Sequence, residues 1–140
     1  MNCPLCEGQG AEPLWQDAFC RVIWVEDANY PGFCRVILNA HVREMTDLPV
    51  ADRQRLMAVV FATEQAVREA VRPDKINLAS LGNMVPHVHW HVIPRWADDV
   101  NFPDAIWAPA RREAARFSPS PSMGEALKER VQLRLAALLG

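Results

Sequence analysis

The sequence predicts a single α+β domain, and three observations carry that expectation. Two β-rich runs, residues 18–25 (Ala-Phe-Cys-Arg-Val-Ile-Trp-Val) and 32–38 (Gly-Phe-Cys-Arg-Val-Ile-Leu), flank a segment dense in turn formers. Apolar residues then recur at helical spacing over residues 49–71. Beyond them, residues 75–80 and 86–95 return to strand character, the second with strict alternation. A chain of 140 residues, half of them apolar and 23% charged, can bury a core as one ordinary globular domain. Fifteen basic against seventeen acidic residues leave a formal charge of −2, so no global field favours nucleic acid or a membrane surface. Local donors can still hold a small anion. No apolar run approaches transmembrane length, and the start Met-Asn-Cys-Pro-Leu-Cys lacks a basic-then-apolar signal, so a cytoplasmic protein is expected.

At the N-terminus, Cys3-Pro4-Leu5-Cys6 is followed by Glu-Gly-Gln-Gly. Two thiols on a tight turn suit a soft tetrahedral metal, but a closed zinc site needs two further ligands. A reduced, solvent-facing pair is the bland reading, and a redox role lacks the strand that leads into such motifs. Cys20 and Cys34 stand isolated among apolar residues and read as small core side chains, which argues against a disulfide framework. Between the two β-rich runs, Glu26, Asp27 and Asn29 can grip a hydroxylated ligand or simply solvate a turn. Asn39-Ala40-His41-Val42 closes the second run, and His41 stands alone there.

In the helical stretch Leu56, Val60, Val67 and Val71 form the stripe, with Met57 and Phe61 alongside. Pro49 suits a first turn and Arg72-Pro73 an end. Leu81-Gly82-Asn83-Met84-Val85-Pro86 is a turn that delivers the chain into the last strand, and Asn83 can offer an amide there or serve only its backbone. After Arg95 the sequence becomes aperiodic and proline-bearing through Trp107 and Pro109, as a loop packed over the sheet or near a site would be. Ser118-Pro119-Ser120-Pro121 reads as a spacer, and Ser122-Met123-Gly124-Glu125 as a capping box. Leu127, Val131, Leu135 and Leu138 then define an amphipathic helix that packs on the domain or a partner subunit. The expected division is a main body over residues 1–110 and this spacer and helix over 111–140.

The chemistry concentrates in Pro86-His87-Val88-His89-Trp90-His91-Val92-Ile93-Pro94-Arg95. Alternate side chains of a strand share a face, so His87, His89 and His91 are expected as a row about 6 to 7 Å apart, with Val88, Trp90 and Val92 toward a core. Imidazole titrates near neutral pH, which makes such a row poor core material and good metal or phosphate chemistry. Two readings compete. The row can chelate zinc, but Asp98, Asp99 and Asp104 lie at no recognisable ligand spacing. Alternatively the central imidazole of His89 attacks phosphorus, while His91 donates to a phosphoryl oxygen.

The run His87-Val88-His89-Trp90-His91-Val92-Ile93 matches the alternating signature of the histidine triad family of nucleotide hydrolases and transferases. The resemblance extends over residues 1–95, through Ile37-Leu38-Asn39-Ala40-His41-Val42 and the N-terminal C-x-x-C. It implies an antiparallel sheet of about five strands with one long helix, here followed by a C-terminal helix, and a protein commonly paired as a homodimer. By this resemblance His89 is the nucleophile toward the α-phosphate of a nucleotide, and His91 with His87 holds phosphate oxygens or polarises the site. Asn83 resembles the family's phosphate-contacting amide, and Asp27 or Asn29 stands where the family grips the ribose. Some bacterial members carry zinc on a C-x-x-C and two histidines, which makes Cys3, Cys6, His41 and His87 the ligands of a structural metal here, with none required for catalysis. Dinucleoside polyphosphates such as diadenosine tetraphosphate, and adenylated amines, are the implied substrates. The chain departs from the family before the triad, where residues 81–86 lack the Gly-Gln-Ser or Gly-Gln-Thr segment of many members. Trp107 and the last helix match no family pattern. A zinc hydrolase using the histidine row, a non-catalytic nucleotide-binding regulator and a redox protein built on Cys3 and Cys6 are the alternatives.

Overall fold

The computed structural model describes residues 3–7, 12–113 and 121–139. Five strands form one antiparallel sheet: β1 (Trp15–Gln16), β2 (Cys20–Trp24), β3 (Cys34–Leu38), β4 (Lys75–Ala79) and β5 (His89–Arg95). Their order is β1-β2-β3-β5-β4, so β5 is inserted between β3 and β4. The expected strands are all present, each shortened at one or both ends, and β1 is an addition that alternation over two residues cannot announce. The expected Gly-Gln-Gly and most of the Ser-Pro spacer fall outside the described residues.

Helix α1 (Val50–Val71) and helix α2 (Pro121–Leu139) cover one face of the sheet. Strand alternation sorts the side chains between faces. Cys20, Val22, Cys34, Val36, Leu38 and Val92 point toward the helices and are buried there. Burial pushes the Cys20 thiol up to about 12 and raises Cys34 as well, which keeps both as inert core groups. His89 and His91 belong to the opposite, helix-free face. Their register neighbours on β3 are Ile37 and Arg35.

Pro49 occupies the N-cap position of α1 rather than its first turn. The far end closes on Arg72, whose left-handed backbone (φ 49°) turns its amide onto the Arg68 carbonyl just before Pro73. Leu56, Val60 and Val67 are core residues as expected, but Phe61 is 55% exposed, because the stripe is narrower than the run of apolar residues. In α2, Leu127, Val131 and Leu135 enter the same core that α1 and the sheet share, while Leu138 is 44% exposed. The helix therefore packs on its own domain. It already includes Pro121, so Ser122 lies within its first turn instead of capping it. Gly124 is required where α2 crosses β2: a Cβ there would sit 2.6 Å from the Trp24 ring.

The loop after β5 is pinned by one buried ion pair. Arg95 Nε and Nη2 donate to the two oxygens of Asp99 at 2.8 and 3.0 Å, Nη1 donates to Asn77 Oδ1 at 2.7 Å, and Nη2 also reaches the Asp104 carbonyl. Both side chains are almost fully buried. Asp99 additionally accepts the amides of Trp96 and Phe102. Removing one partner of such a pair strands the other charge, so Asp99→Ala is expected to cost about 3–5 kcal/mol, read as a shift of the urea midpoint. A cost within the range of a surface substitution would remove this pair as the anchor of residues 96–109.

Candidate functional site

Strand β5 starts at His89, and His87 lies in the bend ahead of it. The expected row of three thus becomes a pair on the sheet plus one residue turned elsewhere. The cause is local: the His87 amide folds back to the Val85 carbonyl at 2.8 Å, so the alternating geometry begins only afterwards. The rings of His89 and His91 sit edge to face with centroids 5.0 Å apart, closer than the pleat alone gives.

His89 Nδ1 lies 2.6 Å from the main-chain oxygen of His87. A carbonyl only accepts, so Nδ1 carries a proton, and in the neutral ring the lone pair then lies on Nε2. That nitrogen has no partner among the described residues. His91 has the complementary arrangement. Arg35 Nε donates toward His91 Nδ1 at 3.4 Å, which leaves the His91 proton on Nε2. Burial, and then the positive charge of Arg35, lowers the His91 pKa to about 4, so its ring is neutral at physiological pH.

Both histidines line a cavity of about 390 Å³ with Arg35, Asn83, Leu5 and Trp107. Trp107, about half exposed, stands edge-on to His91 with centroids 5.1 Å apart, and the segment after Arg95 is therefore a wall of the site. Asn83 reaches the cavity from the turn before β5. Asp27 and Asn29 do not line it. They sit in the β2–β3 turn, where Asp27 Oδ1 accepts the Asn29 amide at 2.9 Å. Among the described residues no carboxylate lines the cavity; Asp99 and Asp104 are engaged by Arg95 and Arg111. Arg35 was not singled out in the sequence, since an arginine in a strand reads as a solvated outward position. Leu5 arrives because Arg21 donates to its carbonyl and holds the C-x-x-C turn against the sheet.

A depressed histidine pKa has a definite sign for stability. The unfolded ring takes up a proton below about 6.5, whereas the native ring resists protonation until about 4. Stability is therefore full above pH 6.5 and declines as pH falls toward 4, by up to about 3 kcal/mol from this group. Urea titrations between pH 7 and 4 should show that slope reduced in His91→Gln. An unchanged slope would place the acid sensitivity elsewhere.

The ring of His87 is taken up behind the pair. Its Nε2 lies 2.6 Å from the Leu38 carbonyl, so Nδ1 is free to act as a ligand atom. Around that nitrogen stand Cys3 Sγ at 3.5 Å, Cys6 Sγ at 3.4 Å and His41 Nδ1 at 3.2 Å, and Cys6 Sγ is 3.2 Å from His41 Nδ1. Zinc bonds of 2.0–2.1 Å to nitrogen and 2.3 Å to sulfur imply tetrahedral edges of roughly 3.3 to 3.6 Å for these pairs. The four side chains thus fit one tetrahedral ion. Among the described residues this is the only group of three or more candidate metal ligands, and His89 and His91 are outside it. None of the described helices is long and apolar enough to cross a membrane.

Known proteins share features of this sequence and its fold. The family model described as HIT domain matches residues 10–98. An AP-4-A phosphorylase of Mycobacterium tuberculosis is 31% identical over 78 residues, covering 51% of this chain and 40% of that protein. The match therefore spans less than half the length of that curated relative. A histidine triad protein from Marinobacter aquaeolei VT8 superimposes with a TM-score of 0.71 at 27% identity, over 91% of this chain and 90% of its own. A Zn-bound histidine triad family protein from Mycobacterium smegmatis has the same fold, with a TM-score of 0.63 at 21% identity over 95% and 92% of the two chains.

Proposed function

Since the chain belongs to the HIT domain family, we propose that it is a nucleotide hydrolase or transferase that cleaves at an α-phosphate through a nucleotidyl intermediate on His89. The observation that carries this reading is the bond from His89 Nδ1 to the His87 carbonyl. It fixes the tautomer in which Nε2 is a nucleophile beside an open cavity. His89 Nε2 attacks the α-phosphorus, a P–N bond forms, and the bond to the leaving group breaks with its electron pair. The His91 Nε2–H donates to a phosphoryl oxygen as charge develops there. Asn83 adds an amide on the same side. Water, or another acceptor, then attacks the nucleotidyl group and releases His89. Dinucleoside polyphosphates and adenylated amines are the substrate classes, the first supported by the AP-4-A phosphorylase likeness. The reading extends to a structural zinc ion on Cys3, Cys6, His41 and His87, supported by their tetrahedral spacing and by the Zn-bound relative.

The test is a rapid acid-free quench of the protein with diadenosine tetraphosphate labelled at the α-phosphates. Label retained by native protein and released by mild acid, as a phosphoramidate bond requires, is the expected result. Turnover with no labelled protein at any time point would replace the covalent route by direct attack of water.

A further inference from the structure

Arg35 is a buried-side cation with no carboxylate to answer it. It projects from β3 onto the helix-free face, opposite His91 in register. Its Nε is directed at His91 Nδ1, and its guanidinium carbon lies 5.7 Å from the Phe33 ring centre. Among the described residues it has no ion pair and its two terminal nitrogens have no hydrogen-bond partner. The other polar side chains lining the cavity are Asn83, His89, His91 and Trp107, none of them a carboxylate. Other arginines have oxygen partners: Arg95, Arg55, Arg111 and Arg134 each hold an acidic side chain, and Arg21, Arg53 and Arg112 donate to amide or main-chain oxygens. A partly desolvated guanidinium facing an acid-free cavity is costly unless an anion completes it.

We propose that Arg35 forms an anion subsite beside the scissile phosphate and selects substrates whose leaving group is itself a phosphate over those that release a neutral amine. The inference rests on the nucleotidyl-His89 reading and sharpens it, since polyphosphates and phosphoramidates differ in that respect. A polyphosphate presents further charged oxygens next to the α-phosphate, and the planar guanidinium can take two of them at once. An adenylated amine presents none there. Because Arg35 also donates to His91, any loss common to both substrates reports that second contact. The difference between the two losses reports the subsite.

The experiment compares native protein with Arg35→Gln and Arg35→Lys, measuring kcat/KM on diadenosine tetraphosphate and on adenosine 5′-phosphoramidate. Arg35→Gln is expected to lose at least about tenfold more on the tetraphosphate than on the phosphoramidate, the size of one charge-assisted hydrogen bond. Arg35→Lys should recover part of that difference. Calorimetric titration with inorganic pyrophosphate supplies an arm independent of turnover, and binding at least about tenfold weaker in Arg35→Gln is expected. Equal losses on both substrates, as a base-reading or purely structural arginine would give, or unchanged pyrophosphate binding, would overturn the subsite. Native protein inactive on both nucleotides would instead count against the His89 chemistry, with the pyrophosphate arm still deciding on Arg35.

Discussion

His89→Ala and His89→Gly should lower turnover of diadenosine tetraphosphate by at least about a thousandfold and abolish labelled protein. The size follows from what the residue supplies. No other side chain in the cavity offers a free unprotonated nitrogen: the guanidinium, amide and indole nitrogens of Arg35, Asn83 and Trp107 carry their protons, and His91 Nδ1 already accepts from Arg35. Donors to the phosphoryl oxygens survive in both variants, so a residual rate above that in water is expected, as when a nucleophile is removed and the surrounding donors remain. His89 lies on the helix-free face of the sheet, away from the shared hydrophobic core. The variants should therefore unfold at nearly the native urea concentration, which separates lost chemistry from lost structure. Equal turnover by His89→Ala would end the covalent mechanism.

How much of this was legible in the sequence depends on the range over which each feature is determined. Period-two alternation placed Val92 in the core and His89 and His91 on the other face, because a strand needs only its own residues to define two sides. Helical spacing found α1 and α2 for the same local reason. The place of β5 between β3 and β4 is a property of pairing, and it decides that Arg35 stands opposite His91. No spacing along the chain carries that information, and so the cation of the site went unseen. His87 was expected in a row with His89, yet a single amide turning back to Val85 moved its ring to the other cluster. The Trp107 loop was expected over the sheet or near the site; its anchor is the Arg95–Asp99 pair, a contact that no spacing along the chain announces even though Arg95 closes the histidine strand. Asp27 and Asn29, read as ligand grips or as turn residues, meet each other in the β2–β3 turn, where the Asp27 carboxylate accepts the Asn29 amide.

The cysteine–histidine cluster should matter to the nucleophile through the main chain. His87 offers its ring to the cluster and its carbonyl to His89 Nδ1, so whatever fixes the His87 ring also fixes the acceptor that sets the His89 tautomer. Native protein is expected to retain one zinc ion per chain after dialysis, and Cys3→Ser/Cys6→Ser to retain none. Structural zinc contributes folding energy directly, on the order of 10 kcal/mol or more in peptides that fold only around it. Here the sheet and helices share a hydrophobic core of their own, so a smaller share is at stake, read as a fall in Tm of about 10 °C or more. The catalytic consequence should appear in kcat rather than KM, because the cluster touches the orientation of His89 and leaves Arg35, Asn83 and Trp107 in place. Imidazole nitrogen chemical shifts give a readout without turnover: the His89 Nδ1–H form should dominate in metal-loaded native protein and lose population to the other tautomer in the double variant. A double variant with native Tm, native kcat and an undisturbed His89 tautomer would leave the cluster as a bystander to the reaction.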